Sequence, residues 1–109
     1  MTIDALLVIT NLPDRASADA LAAALVDRRA AACVNVLSPC RSVYRWQGKV
    51  ETAEEHPVFA KTTRDRYPVL ERVIRELHPY ELPEIVAVPI AVGLPAYLEW
   101  VAAETRTPA

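Results

Sequence analysis

The chain has 109 residues, with twelve Lys or Arg against fourteen Asp or Glu and a formal net charge of −2. It is long enough for one domain over residues 1–109 with a single core. At 52% hydrophobic residues, a packed core is expected rather than disorder. No basic face invites nucleic acid, and no apolar run approaches the roughly 20 residues that cross a bilayer, so neither nucleic acid nor membrane is expected as a partner.

In chain order, residues 3–10 are apolar on both parities, which predicts a strand covered on both faces. Asn11-Leu12-Pro13-Asp14 ends it. Asp14 is a good N-cap for a helix over 15–29, where Ala18, Leu21, Ala22 and Leu25 recur at helical spacing. Arg28 and Arg29 fall at the negative end of that helix. Strand character returns from residue 32, with Val34 and Val36 on one face and Cys33, Asn35 and Leu37 on the other. Ser38-Pro39-Cys40 interrupts it, and residues 41–46 resume it. Gln47-Gly48 is a two-residue hairpin turn. Pairing Trp46 with Lys49 sets Arg41 against Glu54, Leu37 against Val58 and Cys33 against Thr62. A bulge near Pro39 or Pro57 would shift the inner part of that register.

The return strand is expected over 57–62. A second helix follows, with Thr63 as candidate cap, Pro68 in its first turn and Leu70, Val73, Ile74 and Leu77 on one face. His78-Pro79 stops it. Residues 84–90 form a last strand, with Pro89 arguing for an edge position. Gly93-Leu94-Pro95 turns into a final helix over 95–104, and the polar tail is expected to fray. The order β-α-β-β-α-β plus a helix, with right-handed crossovers, predicts an α+β fold. It is a ferredoxin-like sandwich whose middle hairpin is extended and whose C-terminus is helical.

A lone copy would expose open strand edges, a second apolar sheet face, Tyr44 and Trp46, which predicts self-association. The chain begins Met1-Thr2-Ile3-Asp4, with no basic segment ahead of an apolar one, which predicts a cytoplasmic protein. Cys33 and Cys40 are not expected to bridge in that compartment.

Enzymatic motifs are missing. No Gly-rich phosphate loop, zinc-protease helix or nucleophile elbow is present, and the chain has only two glycines. No catalytic residue is assigned. Glu51, Glu54 and Glu55 read as a solvated face, and His56 as a surface residue. His78 is either a C-terminal helix cap or a ligand for copper, nickel or zinc. It opens a loop in which two prolines stiffen the backbone carrying Tyr80, Glu81 and Glu84. Cys33 is either a small core residue or a soft ligand. Lys61 is an ion-pair partner or an anion contact.

Five ordered blocks carry a resemblance across nearly the whole chain. They are Ala31-Ala32-Cys33-Val34-Asn35, Ser42-Val43-Tyr44-Arg45-Trp46-Gln47-Gly48-Lys49, Lys61-Thr62-Thr63, His78-Pro79-Tyr80-Glu81-Leu82-Pro83-Glu84 and Pro95-Ala96-Tyr97-Leu98-Glu99-Trp100. Together they resemble the CutA divalent-cation tolerance family. The resemblance implies a stable homotrimer, akin in fold and assembly to PII-type signalling proteins. It also implies tolerance of copper or another divalent metal, with shared polar residues at clefts between subunits. By matching positions the metal would meet His78, Cys33 and Glu81, and the cleft would hold Arg45, Trp46, Lys61, Tyr80 and Glu84. Ile9 replaces a cysteine of some relatives, and Leu77-His78 replaces a His-His pair. The alternative is a PII-like signalling or scaffold trimer that binds a small anion or a protein partner through Arg45 and Lys61.

Overall fold

The structure, a computed structural model, describes residues 2–106. Strand β1 (Ala5–Leu12) leads through helix α1 (Arg15–Asp27) to β2 (Cys33–Val36) and β3 (Cys40–Trp46). Strand β4 (Lys49–Thr63) runs back from the hairpin. A short 3-10 turn (Arg64–Arg66) then enters α2 (Tyr67–Leu77), followed by β5 (Val86–Pro89) and α3 (Pro95–Thr105). The antiparallel sheet has the order β2-β4-β1-β5, with β3 paired to the outer part of β4. This is the ferredoxin-like arrangement, and Pro89 lies on the edge strand as expected. The tail expected to fray lies, from Thr107 on, outside the described residues.

Local chemistry explains the element ends. The Asp14 carboxylate accepts the Ser17 amide at 2.7 Å, which caps α1 and holds its carboxyl below the usual carboxylate range. Helix α1 stops when Arg29 takes a positive φ of 57° and the Ala30 amide returns to the Leu25 carbonyl. Arg28 then pairs with Glu76 of α2 at 2.6 Å. Thr63 makes no side-chain cap; the 3-10 turn enters α2 instead. Gln47 and Gly48 both adopt positive φ, 50° and 82°, as a tight type I′ hairpin turn demands.

The expected register holds from Trp46–Lys49 to Cys40–Glu55, including Arg41 against Glu54. It slips by one beyond that point. Val36, not Leu37, faces Val58, and Cys33 faces Lys61 rather than Thr62. Ser38 and Pro39 together stand opposite His56, so the extra residue is a bulge. Pro57 sits beside it in a central strand. Its carbonyl accepts the Leu37 amide, so its missing N–H points the same way, toward a ladder that the bulge has already interrupted. The return strand is one 15-residue element rather than a segment beginning at residue 57. Strand β1 also runs two residues past the expected break, because Asn11 and Leu12 pair with Pro57 and His56.

Helices α1 and α2 cover one sheet face. There Val8, Leu12, Val58 and Ala60 pack against Leu21, Leu25, Leu70 and Ile74 in one buried cluster. The opposite face carries Leu7, Ile9, Phe59 and Lys61, and α3 covers only its inner end, through buried Val101. The hairpin projects beyond both layers and stretches the molecule to 47 × 26 × 23 Å. No helix among the described residues is long and apolar enough to cross a membrane.

Candidate functional site

A cleft of about 990 Å³ opens between the projecting hairpin and the loop that joins α2 to β5. Strand alternation sends Ser42, Tyr44 and Trp46 of β3 to its wall, together with Glu55 of β4. Asn11, at the end of β1, forms the floor, and the loop residues Tyr80, Glu81 and Glu84 close the other side.

His78 holds the loop in place. Pro79 forces it into extended backbone (φ −77°, ψ 132°), which ends α2 and turns the ring inward, where the residue is only 7% exposed. Its Nε2 donates to the Asn11 carbonyl at 2.7 Å, and its Nδ1 accepts the Tyr80 amide at 3.1 Å. A carbonyl can only accept and a backbone amide can only donate, so these partners specify the neutral tautomer protonated at Nε2. Burial pushes the imidazole pKa below its ordinary value, against the opposing effects of the Asn11 carbonyl and Glu55. The ring also packs against Tyr80, with centroids 4.8 Å apart.

From this clamp a polar chain runs both ways. The Tyr80 hydroxyl donates to Glu55 Oε2 at 3.2 Å, and the Asn11 amide donates to Glu84 Oε1 at 3.1 Å. Burial and the Glu55 charge push the Tyr80 phenol up to about 12, so it stays a neutral donor. Glu55 is buried at 9% exposure, which corrects its expected place on a solvated face. Its β4 parity turns it toward the loop, and the loop covers it.

Of the residues singled out from sequence, Trp46, Tyr80, Glu81 and Glu84 line this cleft, and His78 supports it. Arg45 does not line it, although Val43, two residues earlier on the same face of β3, does. Lys61 and Cys33 are cross-strand neighbours near the far end of β4. Lys61 pairs with Leu7, four residues along β1 from Asn11, or about 13 Å away. Its ammonium donates to Asn35 Oδ1 at 3.1 Å and lies 5.9 Å over the Tyr97 ring of α3. Cys33 and Cys40 are free thiols, the first half-buried and the second exposed. His56 is half-buried rather than superficial, and its Nδ1 is buried without a partner among the described residues.

The expected metal set therefore does not form within one chain. Cys33 lies far from the clamp, both His78 nitrogens are in use, and no three His, Cys, Asp or Glu side chains converge among the described residues. Sequence reasoning missed Asn11 and Ser42 as cleft residues. Asn11 looked like a strand breaker, and only the pairing of β1 with β4 places it beneath the loop.

A family model described as CutA1 divalent ion tolerance protein matches residues 6–104. A divalent-cation tolerance protein CutA of Thermus thermophilus is 44% identical over 90% of this chain and 95% of that protein. A chloroplastic protein CutA of Arabidopsis thaliana is 35% identical over 96% of this chain but only 58% of that longer protein. A solved divalent cation tolerance protein, also from Thermus thermophilus, superposes with a TM-score of 0.92 at 42% identity, covering 94% of this chain and 99% of that one. With the match spanning nearly the whole chain in both sequence and fold, this protein belongs to the CutA1 divalent ion tolerance family.

Proposed function

We propose that this protein serves divalent-cation tolerance as a homotrimeric binding protein rather than an enzyme, with the hairpin–loop cleft as its ligand site. The observation that carries this reading is the uncovered apolar surface. Val43 and Val50 on the hairpin are 62% and 65% exposed, and Val86 and Val88 on the edge strand stand nearly half open. A projecting hairpin and a free sheet edge are different surfaces, so a contact between them is head-to-tail, the kind that makes a ring of copies when the rotation between them closes. Copper or another divalent ion enters as cargo met between copies. One chain supplies Glu81 and Glu84 at the cleft, and a second copy must complete the donor set. The small-anion alternative is weaker, since Arg45 and Lys61 do not line the cleft and Lys61 is already engaged by Asn35.

Sedimentation at micromolar dilution tests the assembly, and a well-folded single-chain species would overturn it. Titration with Cu(II) and Zn(II) tests the cargo. Glu81→Gln is expected to weaken metal uptake, whereas His78→Ala is expected to loosen the loop and lower stability. Tight copper binding abolished by His78→Ala alone, with stability unchanged, would return His78 to the metal site.

A further inference from the structure

The turn that ends α1 carries a residue its backbone does not favour. Arg29 holds a φ of 57°, its amide donates to the Val26 carbonyl at 3.1 Å, and the Ala30 amide donates to the Leu25 carbonyl at 2.9 Å. That pair of bonds is the Schellman ending of a helix, and its left-handed position belongs by default to glycine. A side chain with a Cβ is strained there, and only Asn or Asp shares part of glycine's tolerance. Arginine is therefore a costly residue at position 29 unless its side chain does what glycine cannot.

The neighbours of Arg29 supply that reason, and all of them belong to the same chain. Its Nη1 donates to the Glu104 carbonyl at 3.2 Å and lies 3.6 Å from Glu104 Oε2. One guanidinium nitrogen thus meets both the backbone and the side chain of the last turn of α3. That turn has no basic residue of its own, although its unpaired carbonyls and the helix dipole favour a cation there. Its other late carbonyls are met from within. The Thr105 hydroxyl donates to the Ala102 carbonyl at 3.3 Å, and the Arg106 amide to the Ala103 carbonyl at 3.4 Å. The Glu104 carbonyl is met from the end of α1 instead. The turn that makes this reach is itself held. Nε and Nη2 of Arg66 donate to the Arg29 carbonyl at 3.3 and 3.2 Å, and the Ala30 carbonyl accepts the buried Thr62 hydroxyl at 2.7 Å.

We propose that Arg29 is a latch, a left-handed residue kept as arginine so that its guanidinium pins the last turn of α3 over the inner end of the second sheet face. Helix α3 begins at Leu94 without a side-chain cap, so its C-terminal turn is the end that is tied. The latch keeps Tyr97 beneath the Lys61 ammonium, 5.9 Å away. Helix α3 opens as a unit of its own, and Arg29 sets how often it does so. The latch is independent of the cleft and of any ligand there.

Hydrogen exchange on the full-length protein in its native assembly tests the latch, with Arg29→Gly, Arg29→Lys, Glu104→Gln and the double variant of Arg29→Gly with Glu104→Gln. Glycine suits the left-handed position, so Arg29→Gly removes the pin and keeps the turn. Amides of residues 100–105 are expected to exchange about fivefold faster in it, while those of α1 and β4 keep their wild-type rates. Arg29→Lys retains a cation without the planar fork and is expected to fall between wild type and Arg29→Gly. Glu104→Gln leaves the carbonyl contact in place, so its effect should be smaller, and it should add nothing once Arg29 is gone. Unchanged exchange in α3 of Arg29→Gly, an equal rise throughout the molecule, lysine behaving as glycine does, or full additivity of the two substitutions would each overturn the proposal. If Arg29→Gly yields no folded protein, Arg29→Lys and Glu104→Gln decide through the same amides, and wild-type exchange in both would overturn it.

Discussion

The two halves of β4 are one continuous strand in two different environments. Over its inner half, Val58, Ala60 and Thr62 point into the helix-covered core and are essentially fully buried. Over its outer half, Lys49, Val50, Glu51 and Thr52 are all exposed, and among the described residues β3 is the one strand paired with them. The inner half closes within one chain, since two helices seal its face. The outer half cannot close, because a two-stranded ribbon has no layer to pack against and is marginal alone. The cleft lies where the two regimes meet, at Glu55, the first buried residue along the strand from the hairpin tip.

Breaking the inner half should have the largest effect. Ile74 is fully buried against the sheet, and Ile74→Ala is expected to cost about 2–5 kcal/mol by lost contacts and a residual cavity. Chemical denaturation at fixed protein concentration measures it. Thr62→Val comes next. The Thr62 hydroxyl donates to the Ala30 carbonyl at 2.7 Å in a fully buried site. Removing it leaves that carbonyl unsatisfied, at about 1–3 kcal/mol.

At the junction the effect depends on pH. The pKa of His78 in the folded chain lies below the 6.5 of an unperturbed imidazole. As pH falls through 6.5, the unfolded chain takes up the proton first. Stability is therefore complete above 6.5 and declines as pH drops toward the folded value. Thermal melts from pH 8 to pH 5 should show this slope, and His78→Gln should flatten it; an unchanged slope would place the titrating group elsewhere. The smallest effect belongs to the outer half. Gln47 holds a positive φ at the turn, and Gln47→Asn should stabilise the hairpin by about 0.5 kcal/mol, since Asn tolerates that conformation better. A gain confined to hydrogen exchange in residues 40–55 would show that the outer half opens separately from the core.

Elements whose character is local were legible in the chain. Asp14 as cap, the apolar faces of both main helices apart from Leu77, which is 40% exposed, the Gln47-Gly48 turn and the outer register all follow from neighbouring residues. The inner register was legible in part, as a shift expected from a bulge near Pro39 or Pro57; that the extra residue lies at Ser38-Pro39 and moves every partner beyond it by one is decided only by sheet closure. The cleft was half legible. Tyr80, Glu81 and Glu84 lie together in one stiff loop, but Glu55 and Asn11 come from distant strands.

Sequence alone determined the element types, the α+β order, the loop that carries the polar residues and the family, because each depends on short-range periodicity or on residues close together in the chain. The tertiary structure alone decided that Glu55 is buried, that His78 is a neutral clamp with both nitrogens engaged, and that Lys61, Cys33 and Arg45 stand apart from the cleft. Burial, tautomer and distance are properties of which surfaces meet. Those surfaces are set by sheet pairing between residues far apart in the chain, as when Asn11 is brought beneath Glu84 by the pairing of β1 with β4 and β5.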